Sequence, residues 1–275
     1  MESIGIIAGE GDLPVRVLKE TGERGFEAVA LAFDGFTNPE IERYAKNAHW
    51  LKLGQLDKAI KILKQYGITR VVMAGKIDKA NLLRLWNLRP DRRALRVIRA
   101  LKDWKDDTVL AAIAEELSKD GISIDSITVW ASKLMASQGV LTRKQPTKHQ
   151  IEDVEFGREM ALAIGGLDIG QTVVVKNRAV LVVEAIEGTD RAILRVRDLN
   201  IPNAVVVKMA KPNQDMRFDV PGVGPSTIRN MVTAGAKLLA IEVGKTMIAN
   251  SEETIAIADE AKICVMGITA SGPIV

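Results

Sequence analysis

Cysteine is almost missing from this chain. Cys264 is the only one in 275 residues, which excludes an internal disulfide and fits a reducing compartment. Histidine occurs only at His49 and His149, far apart in sequence. Two such residues cannot build a histidine-rich binuclear centre, and neither has neighbours that point to a Ser-His-Asp triad. A metal is therefore expected on oxygen ligands, which means Mg2+, with Mn2+ as the alternative. Aromatic residues make up 4%, too few for a base-stacking platform. A net charge of +3 is too small to call for nucleic acid, and no nucleic-acid partner is expected. No basic and apolar leader precedes the first strand, and no window approaches the roughly 20 apolar residues of a spanning helix. From these absences a soluble cytoplasmic protein is expected.

What the chain does have is an ordinary globular composition, 47% hydrophobic and 27% charged, and length for one large domain or two modest ones. The apolar run Ile4-Gly5-Ile6-Ile7-Ala8 is followed by Gly9-Glu10-Gly11-Asp12-Leu13-Pro14, then by Val15, Val17 and Leu18 in a helix. Strand, glycine turn and helix open a dinucleotide-binding unit, and the turn is expected to face a nucleotide phosphate. It reads GxGxxP, so the third glycine of that fingerprint is missing, while Pro14 suits a first helical turn. A second strand over 29–33 ends at Asp34, near where a ribose-binding acid would lie. Leu56, Ala59, Ile60 and Leu63 form a helix face that leads to a third strand over 71–74, stopping at Gly75 and Lys76. Ligands of open parallel sheets gather at the carboxyl ends of strands. Gly75 and Lys76 are thus expected to join the 9–11 turn, with Lys76 meeting phosphate or else standing as a solvated loop lysine.

Residues 76–105 carry ten lysines and arginines against Asp78, Asp91 and Asp103, a local +7 that leaves −4 for the rest. Arg92, Arg93, Arg96 and Arg99 fall on one side of a helix begun by Pro90, with Leu95, Ile98 and Leu101 opposite and Trp86 and Trp104 flanking. Such a stretch, 84–104, is an ordinary solvated face or a contact for an anionic membrane surface. Asp106-Asp107-Thr108 caps the next helix. Periodicity is lost over 132–150, which reads as a polar linker between domains. A helix through Val154 and Ile164 follows, then a hairpin about Asn177-Arg178. In the acidic run 184–190, Gly188 precedes a helix capped by Thr189 or Asp190; this is a simple cap, or an anion or metal locus. Gly244-Lys245-Thr246 fails as a P-loop, because Leu239 stands where glycine is required and a strand follows.

The stretch richest in chemistry is 208–228, KMAKPNQDMRFDVPGVGPSTI. Val205-Val206-Val207 feeds it as a buried strand, and Pro212, Pro221, Pro225, Gly222 and Gly224 keep it irregular. Ser226 or Thr227 is expected to cap a helix carrying Ile228, Met231 and Val232. Lys208, Lys211, Asp215, Arg217 and Asp219 stand in that irregular backbone. A strand, a charged loop and a helix N-terminus hold an anion well, and lysines beside aspartates suit a phosphate and a divalent cation. The plain alternative is a solvated turn.

GIIAGEGDLP at the start, AGK at 74–76, DDTVL at 106–110, LDIGQTVVV at 167–175, VLVVEAIEGTD at 180–190 and the 208–228 stretch come in one order. Together they resemble, over nearly the whole chain, the UDP-2,3-diacylglucosamine pyrophosphatase family called LpxI. The resemblance implies an α/β protein in two domains. The first is an N-terminal Rossmann-like parallel-sheet domain that binds UDP (1–131); after the linker (132–150) comes a second, C-terminal α/β domain that binds lipid and carries catalysis (151–275). It also implies Mg2+-dependent hydrolysis of the diphosphate of UDP-2,3-diacylglucosamine to UMP and 2,3-diacylglucosamine 1-phosphate. That reaction belongs to lipid A biosynthesis, on the cytoplasmic side of the inner membrane. Asp219 matches the aspartate of the family's DxPxxG motif and is the expected catalytic group, with Lys208 and Lys211 offsetting phosphoryl charge. Asp215 and Asp190 are expected to join Asp219 around the metal. The expected substrate contacts are Gly9, Glu10, Gly11, Leu13, Gly75, Lys76, Gly188, Thr189, Asp190, Gln214 and Gly224, although the family often has glycine where Glu10 stands. The acyl chains would lie in an apolar cleft between the domains, and a homodimer is allowed. A rival class, an NAD(P)-dependent nucleotide-sugar oxidoreductase, has the incomplete glycine fingerprint against it. A non-catalytic UDP-sugar or lipid-binding protein is the third reading.

Overall fold

The computed structural model describes residues 2–75, 90–102 and 106–274. Lys76 and much of the basic stretch expected to meet a membrane, Trp86 and Trp104 included, lie outside the described residues. So do the side chains of Asp106 and Asp107. The chain forms two units, Met1–Ala131 with Met216–Phe218, and Ser132–Asp215 with Asp219–Val275. Among the described residues no helix is long and apolar enough to cross a membrane.

The first unit alternates strands and helices: β1 (Ser3–Ala8), α1 (Leu13–Glu23), β2 (Glu27–Phe33), β3 (Asn47–Leu51), α2 (Leu56–Gln65), β4 (Arg70–Ala74), α3 (Arg92–Ala100), α4 (Asp106–Ser118), β5 (Ser123–Asp125) and α5 (Ile127–Trp130). The sheet runs β3-β2-β1-β4-β5, with every pair parallel. This is the Rossmann-like order, with β1 between β2 and β4, so the chain reverses its direction of travel at the β1/β4 gap. Leu31, Ile60, Leu63, Val71, Leu117 and Ile124 bury one face of the sheet under α2 and α4. The run 71–74, expected as the third strand, is the fourth. The missed strand, β3, lies on the sheet's edge, where Asn47 and His49 are only half-buried, so it lacks the continuous apolar run of a central strand.

The basic helix α3 departs from its expected amphipathic split. Asp91 caps it, its Oδ1 accepting from the Ala94 amide at 2.9 Å. Ala94 is its buried residue, while Leu95 is exposed. Arg93 turns inward, to Glu116 Oε1 at 2.6 Å and to Asp120. One arginine of the expected solvated face is therefore a structural ion-pair centre.

The second unit holds β6 (Gly139–Val140), α6 (Lys148–Gly166), β7 (Thr172–Lys176), β8 (Ala179–Val183), α7 (Thr189–Leu199), β9 (Val205–Lys208), β10 (Gly222–Val223), α8 (Pro225–Ala234), β11 (Leu238–Glu242), β12 (Met247–Ile248), α9 (Ser251–Glu260) and β13 (Cys264–Ile268). Its main sheet runs β6-β13-β11-β9-β7-β8, parallel through β13, β11 and β9 and antiparallel at both margins. Alternate residues of each strand point to opposite faces. Val174, Val206, Leu239 and Val265 meet α7, α8 and α9, whereas Val173, Val207, Ala240 and Cys264 meet α6. Both faces are covered, which explains the near-continuous apolar strands. Cys264 is fully buried, and burial pushes its thiol up to about 11, as suits an inert core residue.

Three local expectations are corrected here. The stretch 132–150, read as a linker, lies within the second unit: β6 pairs with β13, and the Ala136 amide donates to Thr246 O at 2.8 Å. Gly267 makes this approach possible, since an added Cβ would stand 1.9 Å from Ser137 O. The caps also differ. Gly188 precedes α7 and Gly224 precedes α8, in place of Thr189 or Asp190 and of Ser226 or Thr227. Val232 is half-exposed and does not belong to the apolar face of α8.

Lys119 and Arg93 hold the Glu116 carboxyl below its ordinary range, and Lys64 and Arg93 do the same for Asp120. A depressed carboxylate stabilises the fold above its unfolded value, near pH 4, and that contribution is lost as pH falls through the folded value. Arg93→Ala is expected to lower Tm at pH 7 by several degrees and to flatten the fall of Tm between about pH 5 and 3. Thermal melts across that range check both.

Candidate functional site

In the first unit the residues expected around nucleotide phosphate come together at the β1/β4 gap. The Gly9 amide donates to Ala74 O at 2.7 Å, closing the turn after β1 onto the end of β4. Gly75 follows with φ +87, and a Cβ there would stand 2.5 Å from Glu10 O. Only glycine fits both that conformation and that contact. Gly11, also at φ +87, carries the chain to α1, whose first residue is Leu13. The Asp12 side chain makes no cap bond to α1, and no acid lies in its first turn. Asp12 instead accepts from Asn38 Nδ2 at 3.2 Å. The amide end of α1 thus keeps its positive partial charge for an anion. Thr37 fixes the neighbouring backbone, donating to Ala8 O at 2.5 Å and accepting from the Phe33 amide.

In the second unit the functional groups collect along the carboxyl edge of the sheet. Register explains why. Lys208, the last residue of β9, pairs with Thr172, the first of antiparallel β7, and the hairpin returns through β8 to Glu184. Lys208 is 3% exposed. Its Nζ donates to Thr189 Oγ1 at 2.6 Å, and Thr189 Oγ1 donates to Glu184 Oε1 at 2.9 Å. Burial pushes the Lys208 ammonium below its ordinary pKa, while the carboxylates of Glu184, Asp219 and Asp190 pull it back up. Asp190, in the first turn of α7, accepts from Thr227 Oγ1 at 3.0 Å, and Thr227 in turn accepts from the Gly224 amide at 3.3 Å. The N-termini of α7 and α8 are thereby pinned side by side.

The irregular loop after β9 is held by its own side chains. Gln214 Oε1 accepts from the Lys211 amide at 2.9 Å, and its Nε2 donates to Asp219 Oδ2 at 2.6 Å. Gln214 thereby ties Asp219 to the Lys211 backbone. Lys211 Nζ meets Asp168 Oδ1 at 2.6 Å. The Asp215 carbonyl accepts from the Asp219 amide at 3.1 Å. Among the described residues, no three Asp, Glu, His or Cys side chains gather as a ready ligand set.

The sequence reading names Glu184 only within the acidic run 184–190 and omits Asp168, Thr172 and Glu242 as site residues. Glu242 ends β11 and is 2% exposed, with its carboxylate taking the Ala210 amide at 2.8 Å and Lys245 Nζ at 2.8 Å. A signal for it existed, since it is a carboxylate closing an apolar strand, like the lysine closing 205–208. Glu184 and Thr189 stand five residues apart in the connection between β8 and α7, so their pairing is local.

Family models for the LpxI N-terminal domain and the LpxI C-terminal domain match residues 3–134 and 137–266. A curated relative from Caulobacter vibrioides, UDP-2,3-diacylglucosamine pyrophosphatase LpxI, is 31% identical, with 98% of each chain covered. Among solved structures, Bordetella bronchiseptica WbmH in complex with NAD+ aligns at TM-score 0.29 and 13% identity, covering 44% of this chain and 36% of its own. The biotin carboxylase domain of a thermophilic 2-oxoglutarate carboxylase aligns at TM-score 0.29 and 12% identity, covering 70% and 32%.

Gly75→Ala forces a strained φ and a backbone clash at the 9–11 turn, a cost of about 1–3 kcal/mol. A lower denaturation midpoint than wild type is the expected result, and an unchanged midpoint would show that the turn does not rest on Gly75.

Proposed function

The chain belongs to the LpxI family, and from that premise we propose that it hydrolyses the diphosphate of UDP-2,3-diacylglucosamine, giving UMP and 2,3-diacylglucosamine 1-phosphate for lipid A biosynthesis. The observation that carries the reading is the edge cluster of the second unit. There a single buried lysine stands among three carboxylates, beside two helix N-termini, at the carboxyl ends of parallel strands. The ammonium and the helix ends suit phosphoryl oxygens, and the carboxylates in excess of the lysine suit a divalent cation bound with them. We assign UDP recognition to the first unit, at Gly9, Glu10, Gly11, Leu13 and Gly75, and recognition of the lipid phosphate to the second, at Gly188, Thr189, Asp190 and Gly224.

In this reading water attacks one phosphorus of the anhydride, the bond from that phosphorus to the bridging oxygen breaks, and that oxygen departs on the other phosphate. The water oxygen stays on the attacked phosphorus, and a proton from it passes to solvent or product phosphate. Lys208, with one of its three N–H donors on Thr189, offers the others to phosphoryl oxygens. Lys211, placed by Asp168, adds a second charge on the loop. Gln214 holds the Asp219 carboxylate at one orientation. A divalent ion is compatible with these donors: Asp219 and Asp190 are oxygen ligands, and Mg2+ takes one or two carboxylates and completes its shell with substrate phosphate and water. Asp219 and Asp190 would hold Mg2+, or Mn2+, with Asp215 next in the same loop. When bound, the ion supplies charge neutralisation at the diphosphate and lowers the pKa of a ligated water. The substrate's acyl chains call for work at a cytoplasmic membrane surface, and we assign the protein there as a peripheral enzyme.

Asp219→Ala is expected to fold with wild-type circular dichroism and to bind substrate within a few-fold, while kcat falls by about 10²–10³, or roughly 3–4 kcal/mol. Purified protein with UDP-2,3-diacylglucosamine should release UMP, and a chelator should stop it until Mg2+ is restored. Wild-type turnover in the alanine variant would overturn the role of Asp219, and chelator-resistant release would overturn the metal.

A further inference from the structure

We propose that Glu184 is a positioning residue, which acts through the Thr189 hydroxyl to fix the Lys208 ammonium toward the diphosphate. This deepens the reading of Lys208 given above and rests on it. The argument begins with proton direction. An ammonium has three donors and no acceptor, so the 2.6 Å bond between Lys208 Nζ and Thr189 Oγ1 runs from the lysine. The hydroxyl has a single proton of its own, which must then go elsewhere. Glu184 Oε1, at 2.9 Å, is an acceptor only and receives it. Reversing either bond would break the other, so the three groups form one polarised chain whose direction the carboxylate sets.

Glu184 is itself held on several sides, as a positioning group must be. It is 6% exposed. Its amide donates to Thr172 O at 2.9 Å, and its Oε2 lies 3.4 Å from the Gln171 amide. Behind it, Gly170 packs so closely that an added Cβ would stand 2.0 Å from Glu184 O. Thr172 Oγ1, 3.4 Å from Thr189 Oγ1, braces the hydroxyl from β7. Lys208 has no second hydrogen-bond acceptor among the described residues. One donor is tied inward, and the direction of the other two is set by that tie. A buried lysine without Thr189 would have rotamer freedom where the reaction needs a fixed charge.

The test compares Glu184→Gln, Thr189→Val and Thr189→Ser in UMP release, with a second measurement that needs no turnover. The serine variant keeps the hydroxyl and should stay within about threefold of wild type. Valine and glutamine should each lower kcat at least tenfold. In the glutamine variant, whose residue is not among the assigned substrate contacts, KM should stay nearly unchanged, because substrate still binds while the transition state loses an aimed charge. In ligand-free protein, trace acetylation of Lys208 read by mass spectrometry should rise several-fold in the valine and glutamine variants and not in the serine one, as the tethered amine is freed. Should the glutamine variant fail to fold, the valine and serine pair decides alone. Wild-type kcat in the valine variant, or equal Lys208 labelling in all four proteins, overturns the inference. If wild-type protein releases no UMP but labelling shifts as stated, the tether stands and the reaction assignment falls.

Discussion

An ammonium taken out of water loses several kcal/mol of hydration unless opposite charge and hydrogen bonds replace it. Lys208 is in that position at the end of a strand whose other residues are all buried valines. The carboxyl edge of the second sheet is arranged to meet this demand. Glu184 arrives through the β7–β8 hairpin, Asp190 through the first turn of α7, and Asp219 through the loop after β9. Glu184 and Asp190 share the short run after β8 while Asp219 comes from a distant loop, so two separate stretches must meet at the lysine. Loss of any one carboxylate leaves the lysine less compensated, which ties the site's chemistry to the fold that assembles it.

Both units place their candidate groups at the carboxyl ends of parallel strands, for a common reason. Right-handed crossovers put helix N-termini at that end, together with the loops that precede them. In the first unit the loop before α1 is glycine-bearing and lacks a side-chain cap, so backbone amides are its available donors. In the second, side chains have taken over: Thr227 closes on Asp190, Gln214 on Asp219, and Thr189 on Lys208. The first arrangement presents backbone donors, and the second adds charged side chains to them.

The fold was legible in the sequence wherever burial is two-sided. The runs 4–8, 71–74, 205–207 and 238–242 are apolar because helices cover both faces, and the glycines at 9, 11 and 75 are where tight backbone needs them. The half-buried edge strand β3, the two-residue β6 and the three-residue β5 were not legible, because their pairing is made by neighbours distant in sequence. Helix caps failed for a local reason. Glycine with φ +81 at Gly188 and the extended Gly224 took positions where a hydroxyl or carboxylate was expected, which left Thr189, Asp190 and Thr227 free for the site. Lys208, Asp219 and Asp190 were visible as candidates, but their common focus depends on hairpin register. Asp153 was overlooked altogether: it is buried on α6 and accepts the amides of Asn177 and Arg178 at 3.1 and 2.6 Å, both at positive φ.

That turn has a bearing on the outer margin of the sheet. β8 is its last strand, and an unpaired strand of this kind is a template onto which another chain can add. Here the register against β7 slips between Val174 and Val175, which twists the ribbon, while Asp153 clamps the hairpin tip from below. A strand so bent offers a poor straight ladder to a neighbour, so this margin of the sheet is guarded against lengthening.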